Sequence, residues 1–298
     1  MRRPTTLRRM KVGIVLPQGP QEGDGGSWSE IAAVARHAEA GGIDSLWVYD
    51  HFLYRQDGEP EVGFHEAWTL LSALATITDR VELGTLVLAT SFRPAGLLAK
   101  MAATADDVAG GRLILGLGCG WHEPEYRAFG YPFDHRVGRF EEELRVIVPL
   151  VRGERVTFKG KWSAVEDAVL LPPPSRPSMP ILIAAKGERM LRLTARHADA
   201  WQTAWFGLPD GRFRQRHDDL LVACEAESRD PGTLELTVGV DVSDAKEGAH
   251  LPLDAEAIAD GLAAWRSAGV GHLQIGMPVT TRATVDVVLD GIRRYRGS

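Results

Sequence analysis

The sequence predicts an α/β protein whose single domain is a (β/α)8 TIM barrel with an insertion between the fourth and fifth strands. Short apolar runs typical of buried parallel strands alternate with helix-like apolar periodicity from Lys11 onwards, and eight such pairs can be counted. The first strand lacks the Gly-x-Gly-x-x-Gly turn of an open dinucleotide-binding sheet. A chain of 298 residues with 44% hydrophobic residues is long enough to bury one such barrel.

The first part of the chain supplies four strands and three helices. Ser27 and Glu30 have the spacing of a capping box, which predicts a helix start with Trp28 on the apolar face. Pro94 suits the first turn of the third helix, whose apolar positions include Val108. The predicted strands are residues 11–16, 44–49, 81–87 and 112–117, and the predicted helices are 28–38, 65–77 and 94–108.

The alternation is interrupted after the fourth strand, because about 60 residues pass before the next convincing strand. In this insertion region, residues 118–180, the sequence predicts a helix at 140–151, a hairpin at 156–171 and a stiff connector with prolines at 172–174, Pro177 and Pro180. The pattern resumes with strands at 181–184, 200–203, 234–242 and 272–275 and helices from Glu188 and near 213–227, 258–265 and 285–292. One barrel domain, residues 11–298, is therefore predicted.

A basic segment precedes the first strand. Residues 1–10 are rich in arginine and lack the apolar stretch of a secretion signal, so a disordered tail is expected there. Met10 stands directly before the first strand and is an alternative translation start to Met1.

Composition narrows the function classes. The formal charge of -6 leaves no basic footprint for nucleic acid or an anionic membrane, and no apolar run approaches the roughly 20 residues of a spanning helix. The two cysteines, Cys119 and Cys224, make a disulfide framework unlikely and suit a reducing cytoplasm. We therefore expect a cytoplasmic protein that binds a small molecule.

The end of the second strand carries Asp50 and His51. Chemistry in a barrel of this type is located at the carboxyl ends of the strands, so this pair is a candidate general base or cofactor-binding pair. The alternative is that Asp50 only caps the turn and that His51 is an ordinary histidine. From the dipeptide alone both readings stay open.

The fourth strand ends in small residues followed by aromatic and ionisable ones, which is typical of one wall of an active site. A metal site made of Cys119, His122 and Glu123 is conceivable, but no second cluster with ligand spacing supports it. No feature of the sequence activates Cys119 as a nucleophile either. We therefore predict no metal.

The fifth strand ends in Ala184-Ala185-Lys186-Gly187-Glu188-Arg189, which joins a strand to a helix. Free backbone N–H groups, the positive end of the helix dipole and the two cations Lys186 and Arg189 would suit a phosphate. The alternative is an ordinary βα turn with solvated charges.

Several segments, taken in order, resemble the luciferase-like monooxygenase superfamily, and most closely its branch that uses the deazaflavin coenzyme F420. They are WVYDHF (47–52), LGTLV (83–87), GGRLILGLGCGW (110–121), RFEE (139–142), PILI (180–183), GER (187–189) and ADAW (198–201). The resemblance extends from Lys11 to Gln202 and implies a barrel that is commonly dimeric.

The resemblance also implies roles for individual residues. Asp50 and His51 would lie beside the deazaflavin ring, with His51 handling a proton. The bond between Leu86 and Val87 falls where family members have a non-prolyl cis peptide that supports the ring. The remaining implied roles are ring or ribityl contacts for Cys119 and Gly120, phosphate contacts for Ala184, Ala185, Lys186, Gly187, Glu188 and Arg189, and substrate contacts for Trp121 and His122.

Two positions depart from the family pattern. The phosphate turn contains fewer glycines than is usual, although Lys186 adds a charge. Trp121 stands where several relatives have a glutamate, which points to a more apolar substrate.

The resulting hypothesis is an F420-dependent oxidoreductase that transfers a hydride between the deazaflavin and a small organic substrate, forms a homodimer and draws on a separate cofactor reductase. An alternative is an FMN-dependent monooxygenase of the luciferase type that uses reduced flavin and O2. A third is a non-catalytic flavin-binding barrel, against which Asp50 and His51 weigh.

Overall fold

The structure is a computed structural model that describes residues 9–19, 26–176 and 178–297. The strands in these residues are β1 (Lys11–Val15), β2 (Ser45–Val48), β3 (Leu53–Tyr54), β4 (Val62–Gly63), β5 (Glu82–Thr85), β6 (Leu88–Ala89), β7 (Leu113–Gly118), β8 (Val156–Lys159), β9 (Ala164–Ala168), β10 (Ile181–Ala184), β11 (Ala200–Phe206), β12 (Glu235–Ser243), β13 (Leu251–Pro252) and β14 (His272–Gly276). The α-helices are α1 (Trp28–Gly41), α2 (Ala67–Ile77), α3 (Ala95–Val108), α4 (Glu123–Phe129), α5 (Arg136–Val151), α6 (Glu188–His197), α7 (Gly211–Ala226), α8 (Ala255–Ser267) and α9 (Arg282–Gly297).

Eight parallel strands close into a barrel. Their order is β10, β11, β12, β14, β1, β2, β5 and β7, and the pairing of β7 with β10 completes the ring. In that last pairing Leu115 lies opposite Ile181. The predicted (β/α)8 barrel is therefore confirmed, and β11 extends beyond the predicted residue 203 to Phe206.

Strand β7 is buried along its whole length, as its unbroken apolar sequence predicts. Leu113, Leu115 and Leu117 belong to the large core between sheet and helices, whereas Ile114 faces the smaller core inside the barrel. Glycine is needed on the inner face, because a Cβ at position 116 would lie 1.9 Å from the carbonyl oxygen of Thr85.

Two helix predictions can be compared with the structure in detail. The capping box is confirmed, since the Ser27 side chain accepts from the Glu30 N–H and the Glu30 side chain accepts from the Ser27 N–H. The prediction that Trp28 and Val108 face the core was wrong: they are 40% and 51% exposed. Both stand at the end of a helix, where the packing that buries the middle turns does not cover them.

The long connection between β7 and β10 combines regular and additional elements. Helix α5 packs between α3 and α6 and so takes the place of the fourth barrel helix. The predicted hairpin is present as the antiparallel pair β8 and β9. The elements that are additional to the regular barrel are thus α4 and this hairpin. One residue of the predicted proline connector, Pro177, lies outside the described residues.

A second antiparallel hairpin, β3 with β4, follows the second barrel strand. Periodicity did not predict it, because each of its strands has only two residues. Both hairpins stand outside the barrel sheet.

Most of the predicted basic tail, residues 1–8, lies outside the described residues. Its last two residues pack on the barrel: Met10 is fully buried, and the Arg9 guanidinium donates to the Asp44 carboxylate. Among the described helices, none has both the length and the apolar character that a membrane span requires.

Candidate active site

An apolar floor lies at the carboxyl ends of the barrel strands. Tyr49, Leu86, Val87 and Trp205 are partly buried and pack together on the small inner core. Tyr49 follows β2, Leu86 and Val87 follow β5, and Trp205 lies in the last part of β11, so only barrel closure brings them together. An apolar surface of this kind suits a planar ring.

The peptide bond between Leu86 and Val87 is cis, as the resemblance implied. The glycines of β7 leave room for it, since a Cβ at Gly118 would lie 2.7 Å from Cγ2 of Val87. A second non-prolyl cis bond joins Ala204 to Trp205. No proline marks this second bond, so the sequence contains no signal for it.

Asp50 is buried, and both of its carboxylate oxygens accept hydrogen bonds. Its Oδ2 accepts from Nη1 of Arg93 at 2.8 Å and from the Ala89 N–H at 2.9 Å, and its Oδ1 accepts from Nη2 of Arg93 at 2.9 Å. Burial raises the pKa of Asp50, and the Arg93 guanidinium opposes that shift. Because both oxygens hold the loop after β5, Asp50 has the geometry of a positioning residue, and Arg93 is a residue that sequence reasoning missed.

His51 is paired with a different carboxylate. Its Nδ1 lies 2.8 Å from Oε1 of Glu125 on α4, whose Oε2 accepts from the Phe52 N–H at 3.0 Å. The Glu125 side chain is only 2% exposed, whereas the His51 side chain is 17% exposed. Glu125 therefore fixes the orientation of the imidazole and leaves Nε2 for a ligand. Sequence reasoning missed Glu125, which lies 74 residues away along the chain.

Aromatic rings surround the His51 imidazole. The centroids of Tyr54, Phe64, Trp121 and His122 lie 5.3, 5.8, 5.7 and 6.2 Å from it. Trp121 and His122 were predicted to contact substrate and do reach this place. Tyr54 and Phe64 belong to the region of the short β3–β4 hairpin and were not predicted. We call this group of four rings around His51 the aromatic chamber.

His122 acts as a hydrogen-bond acceptor in this chamber. Its Nε2 accepts from the Arg55 N–H at 3.1 Å, and its ring stacks on Tyr54 at 4.6 Å between centroids. Burial lowers the pKa of His122, which favours the neutral ring that the acceptor role of Nε2 requires.

Cys119 and Gly120 form the turn that follows β7. Burial raises the pKa of the Cys119 thiol, so the thiolate is scarce at neutral pH. Gly120 has φ of 70°, and a Cβ there would lie 1.7 Å from the hydroxyl of Tyr126, so only glycine fits. Within the described residues no group of three or more His, Cys, Asp or Glu side chains could hold a metal, and Glu123 is ion-paired with Arg127.

The predicted phosphate turn lies at the start of α6. Gly187 precedes the helix with φ of 72° and provides no side-chain cap, so the first N–H groups of α6 are available to an anion. Ala185 is buried, whereas Lys186, Glu188 and Arg189 are exposed. Arg189 donates to Glu141 on α5 at 2.6 Å, so part of its charge is already neutralised.

A basic cleft of about 320 Å³ adjoins this turn. Its lining residues come from the start of α5, the tip of the β8–β9 hairpin and the start of α6: Phe133, His135, Arg136, Val137, Gly138, Trp162 and Arg189. Glu142 holds the hairpin tip by accepting from the N–H groups of Lys161, Trp162 and Ser163 at 2.7–3.0 Å. Arg136 and Trp162 were missed, because only tertiary packing places them beside the turn.

The profile of the luciferase-like monooxygenase family matches residues 10–276. The chain belongs to the luciferase-like monooxygenase family. This confirms the family that the sequence motifs indicated.

Two relatives that are similar in sequence to this luciferase-like chain are F420-dependent glucose-6-phosphate dehydrogenases. That of Amycolatopsis mediterranei is 36% identical over 180 residues, which are 58% of this chain and 52% of the relative. That of Kineococcus radiotolerans is 32% identical over 224 residues, which are 72% of this chain and 64% of the relative. The chain thus spans about half to two thirds of the length of these relatives.

A solved structure of the same architecture is an F420-dependent secondary alcohol dehydrogenase in complex with an F420-acetone adduct. It superposes with a TM-score of 0.82 over 97% of this luciferase-like chain and 99% of that one, at 18% identity. At this identity the likeness establishes the barrel fold alone.

Proposed function

We propose that this protein is an F420-dependent oxidoreductase that transfers a hydride between the deazaflavin and a small apolar organic substrate. The observation that carries the proposal is the His51 imidazole, which is held by Glu125 inside the aromatic chamber and follows Tyr49 of the floor closely along the chain. The names of the two relatives support F420 as the cofactor. Trp121, at the place of a family glutamate, supports an apolar substrate.

The residues present fit a deazaflavin. The floor of Tyr49, Leu86, Val87 and Trp205 would support the ring, and Cys119 and Gly120 would line its edge. The turn at 184–189 and the basic cleft would hold the phosphate. When bound, the cofactor supplies the carbon that donates or accepts the hydride.

His51 would move the proton that accompanies hydride transfer. With Nδ1–H donated to the Glu125 carboxylate, Nε2 is the basic nitrogen and can take a proton from a substrate hydroxyl. The nearby carboxylate stabilises the imidazolium that forms, and the same Nε2 returns the proton in the reverse direction. Asp50 and Arg93 would act indirectly, because they hold the loop that carries Ala89.

The aromatic chamber would exclude water and orient the substrate. Tyr54 and Phe64 offer apolar ring surfaces next to His51, and Trp121, which is 56% exposed, is the solvent-exposed ring of the group. Because a dry chamber strengthens each hydrogen bond inside it, His51 acts more effectively there than it would in water.

Titration of the protein with F420 and with FMN, followed by intrinsic tryptophan fluorescence, tests the cofactor. We expect F420 to bind at least about tenfold more tightly, a difference of about 1.4 kcal/mol. The same titration of free N-acetyltryptophanamide corrects for the loss of fluorescence that is caused by light absorption of the added cofactor. Equal or reversed affinities would move the assignment to an FMN-dependent monooxygenase, and binding without turnover of any alcohol or carbonyl substrate would favour a non-catalytic flavin-binding barrel.

We also propose a cytoplasmic homodimer. The exposed apolar side chains Leu97 and Val108, each 51% exposed on α3, support a covered face on that helix. Light scattering after size exclusion is expected to give twice the chain mass of 32.5 kDa. A mass of one chain at micromolar concentration would reject the dimer.

A further inference from the structure

Strand β12 ends in a carboxylate that the proposed proton transfer does not use. Val240 and Val242 belong to the large core outside the sheet, so the alternation of the strand points Asp241, which lies between them, towards the barrel interior. In the register with β14, Asp241 lies opposite Gly276. An aspartate is thus placed at the carboxyl end of the barrel, where the candidate active site lies.

Two glycines place the indole of Trp205 beside this carboxylate. A Cβ at Gly239 would lie 2.7 Å from Cε3 and from Cζ3 of Trp205, so only glycine leaves room for the indole there. A Cβ at Gly276 would lie 3.2 Å from Cζ3 of Trp205 and 3.4 Å from Oδ1 of Asp241. The edge of the indole and the carboxylate therefore border the same point, and Asp241 stands at the edge of the floor.

Tyr49 of the floor lies close enough to Asp241 for the two side chains to interact electrostatically. The rings of Tyr49 and Trp205 meet edge to face, with their centroids 6.1 Å apart. Burial raises the pKa of Tyr49, and the negative charge of Asp241 raises it further, so the hydroxyl keeps its proton at neutral pH. A hydrogen-bond donor and an acceptor are therefore present on the same side of the floor.

These two polar groups differ from the other carboxylates of the interior in having no partner. Within residues 9–19, 26–176 and 178–297, no group forms a hydrogen bond or an ion pair with the Asp241 carboxylate or the Tyr49 hydroxyl. The fully buried carboxylates of the same residues all accept hydrogen bonds, namely Asp50, Asp106, Glu125 and Glu143. A half-buried carboxylate without a partner costs free energy that a donor on a ligand would recover.

The basic residues around Asp241 act on it only at a distance. Burial raises the pKa of Asp241, and the charges of His250 and Arg212 oppose that shift. Arg212 is ion-paired with Asp210, at 3.7 Å. The ring of His250 is hydrogen-bonded to the carbonyl oxygen of Ala245, at 2.9 Å. Both oxygens of the Asp241 carboxylate are therefore left for a ligand.

The chemistry of the pair favours a hydroxyl group as the ligand. A hydroxyl can donate to the Asp241 carboxylate and accept from the Tyr49 hydroxyl at the same time, whereas an ammonium group can only donate. A carboxylate or phosphate group would be repelled by the charge of Asp241. A methyl group would leave both polar groups without partners. The pair thus discriminates between ligands that differ in one group.

We propose that Asp241 and Tyr49 form a hydroxyl subsite, so that the substrate is an otherwise apolar alcohol or carbonyl compound with a second hydroxyl group away from the reacting carbon. This inference rests on the proposed function and names its substrate class. Asp241 is a specificity-determining residue in this arrangement, because it binds the substrate at a point other than the carbon that exchanges the hydride.

The test measures binding without turnover. The protein is saturated with reduced F420, which cannot accept a hydride from an alcohol, and is titrated calorimetrically with pairs of ligands. Each diol is paired with the alcohol in which a methyl group replaces the second hydroxyl: butane-1,3-diol with pentan-2-ol, pentane-1,4-diol with hexan-2-ol, and hexane-1,5-diol with heptan-2-ol. The pairs cover different spacings between the two hydroxyl groups.

The wild-type protein is compared with variants of both residues. Asp241→Leu removes the acceptor and keeps a side chain of similar size, and Tyr49→Phe removes the donor and keeps the ring. Asp241→Asn removes only the charge and serves if Asp241→Leu folds poorly. The matched control is Asp244→Asn, which changes an exposed carboxylate in the loop that follows β12.

We expect the wild-type protein to bind one diol more tightly than its paired alcohol, and Asp244→Asn to keep this preference. The ratio of the two dissociation constants should change at least about tenfold in Asp241→Leu and several-fold in Asp241→Asn and Tyr49→Phe, while the affinity for the alcohol stays within a few-fold. A merely structural role would weaken the diol and the alcohol alike and leave their ratio unchanged.

The inference is overturned if no diol binds more tightly than its paired alcohol, or if the preference persists in both Asp241 variants. Weaker binding of F420 to Asp241→Leu with an unchanged ratio would assign the carboxylate to the cofactor and would also overturn the substrate subsite. Failure of the wild-type protein to bind F420 would instead reject the proposed function. In that case a diol preference of the F420-free protein that Asp241→Leu abolishes would still support the hydroxyl subsite.

Discussion

Nδ1 of His51 lies 2.8 Å from Oε1 of Glu125, and this hydrogen bond joins the loop after β2 to helix α4. The same carboxylate accepts from the Phe52 backbone N–H, so two hydrogen bonds join α4 to the strand end. The orientation of the imidazole thus depends on an element outside the regular barrel pattern.

Two replacements of Glu125 distinguish its effect on the orientation of the His51 imidazole from the effect of its negative charge. Glu125→Gln keeps an acceptor for Nδ1–H but removes the negative charge, so we expect turnover to fall about tenfold. Glu125→Ala removes both and is expected to lower turnover about 100-fold. The dissociation constant of F420 and the KM for substrate should stay within a few-fold. Steady-state kinetics measure kcat and KM, and fluorescence titration measures the dissociation constant of F420. A rise in KM as large as the fall in kcat would point to a merely structural role.

His51→Asn tests the proton-handling role itself. An amide can replace one imidazole hydrogen bond but cannot shuttle a proton at neutral pH, so turnover is expected to fall about 100-fold or more. Cofactor affinity should change by only a few-fold. A folded His51→Asn protein with normal cofactor binding and full turnover would defeat the proposal.

Arg93→Met tests the buried ion pair behind the site. The Arg93 and Asp50 side chains are 9% and 0% exposed, so the change leaves a carboxyl group without its partner in the interior. We expect the free energy of unfolding to fall by about 3–5 kcal/mol, measured by urea denaturation. The exposed Arg127, paired with Glu123, provides the control Arg127→Met, which should change little. Similar losses in the two variants would contradict the assignment.

Arg189→Gln tests the basic cleft. Because Arg189 stands at the phosphate turn, its loss should weaken F420 binding several-fold and flatten the dependence of affinity on salt. The control is Arg196→Gln on the same helix, where the guanidinium pairs with Glu227 and also approaches Glu141. Titrations at two salt concentrations compare the variants. If both behave like the wild type, the phosphate binds elsewhere.

Alkylation of Cys119 tests both its ionisation and its place beside the cofactor. Since burial raises the thiol pKa, little thiolate is present at pH 8, and iodoacetamide should react about tenfold more slowly than with free cysteine. The rate should rise as pH increases above 9. A Cys224→Ser background removes the other thiol, and saturating F420 should slow the reaction further. Unchanged alkylation in the presence of bound F420 would place Cys119 outside the cofactor site.

The sequence by itself determined the barrel, because strands and helices are encoded by patterns of residues that are close together along the chain. A buried parallel strand such as β7 needs an unbroken apolar run, and a helix start such as Ser27 to Glu30 needs side-chain acceptors at fixed spacing. The short β3–β4 hairpin escaped prediction since two residues carry no period. Family motifs added the cis bond at Leu86, which periodicity could not supply.

The tertiary structure decided which side chains meet. Asp50 and His51 are neighbours in sequence, yet the fold turns one towards Arg93 and the other towards Glu125. Arg216 reaches the end of β11 only because α7 folds back over that strand. Such pairings join residues far apart along the chain, and their geometry follows from barrel closure and helix packing, which no local spacing encodes.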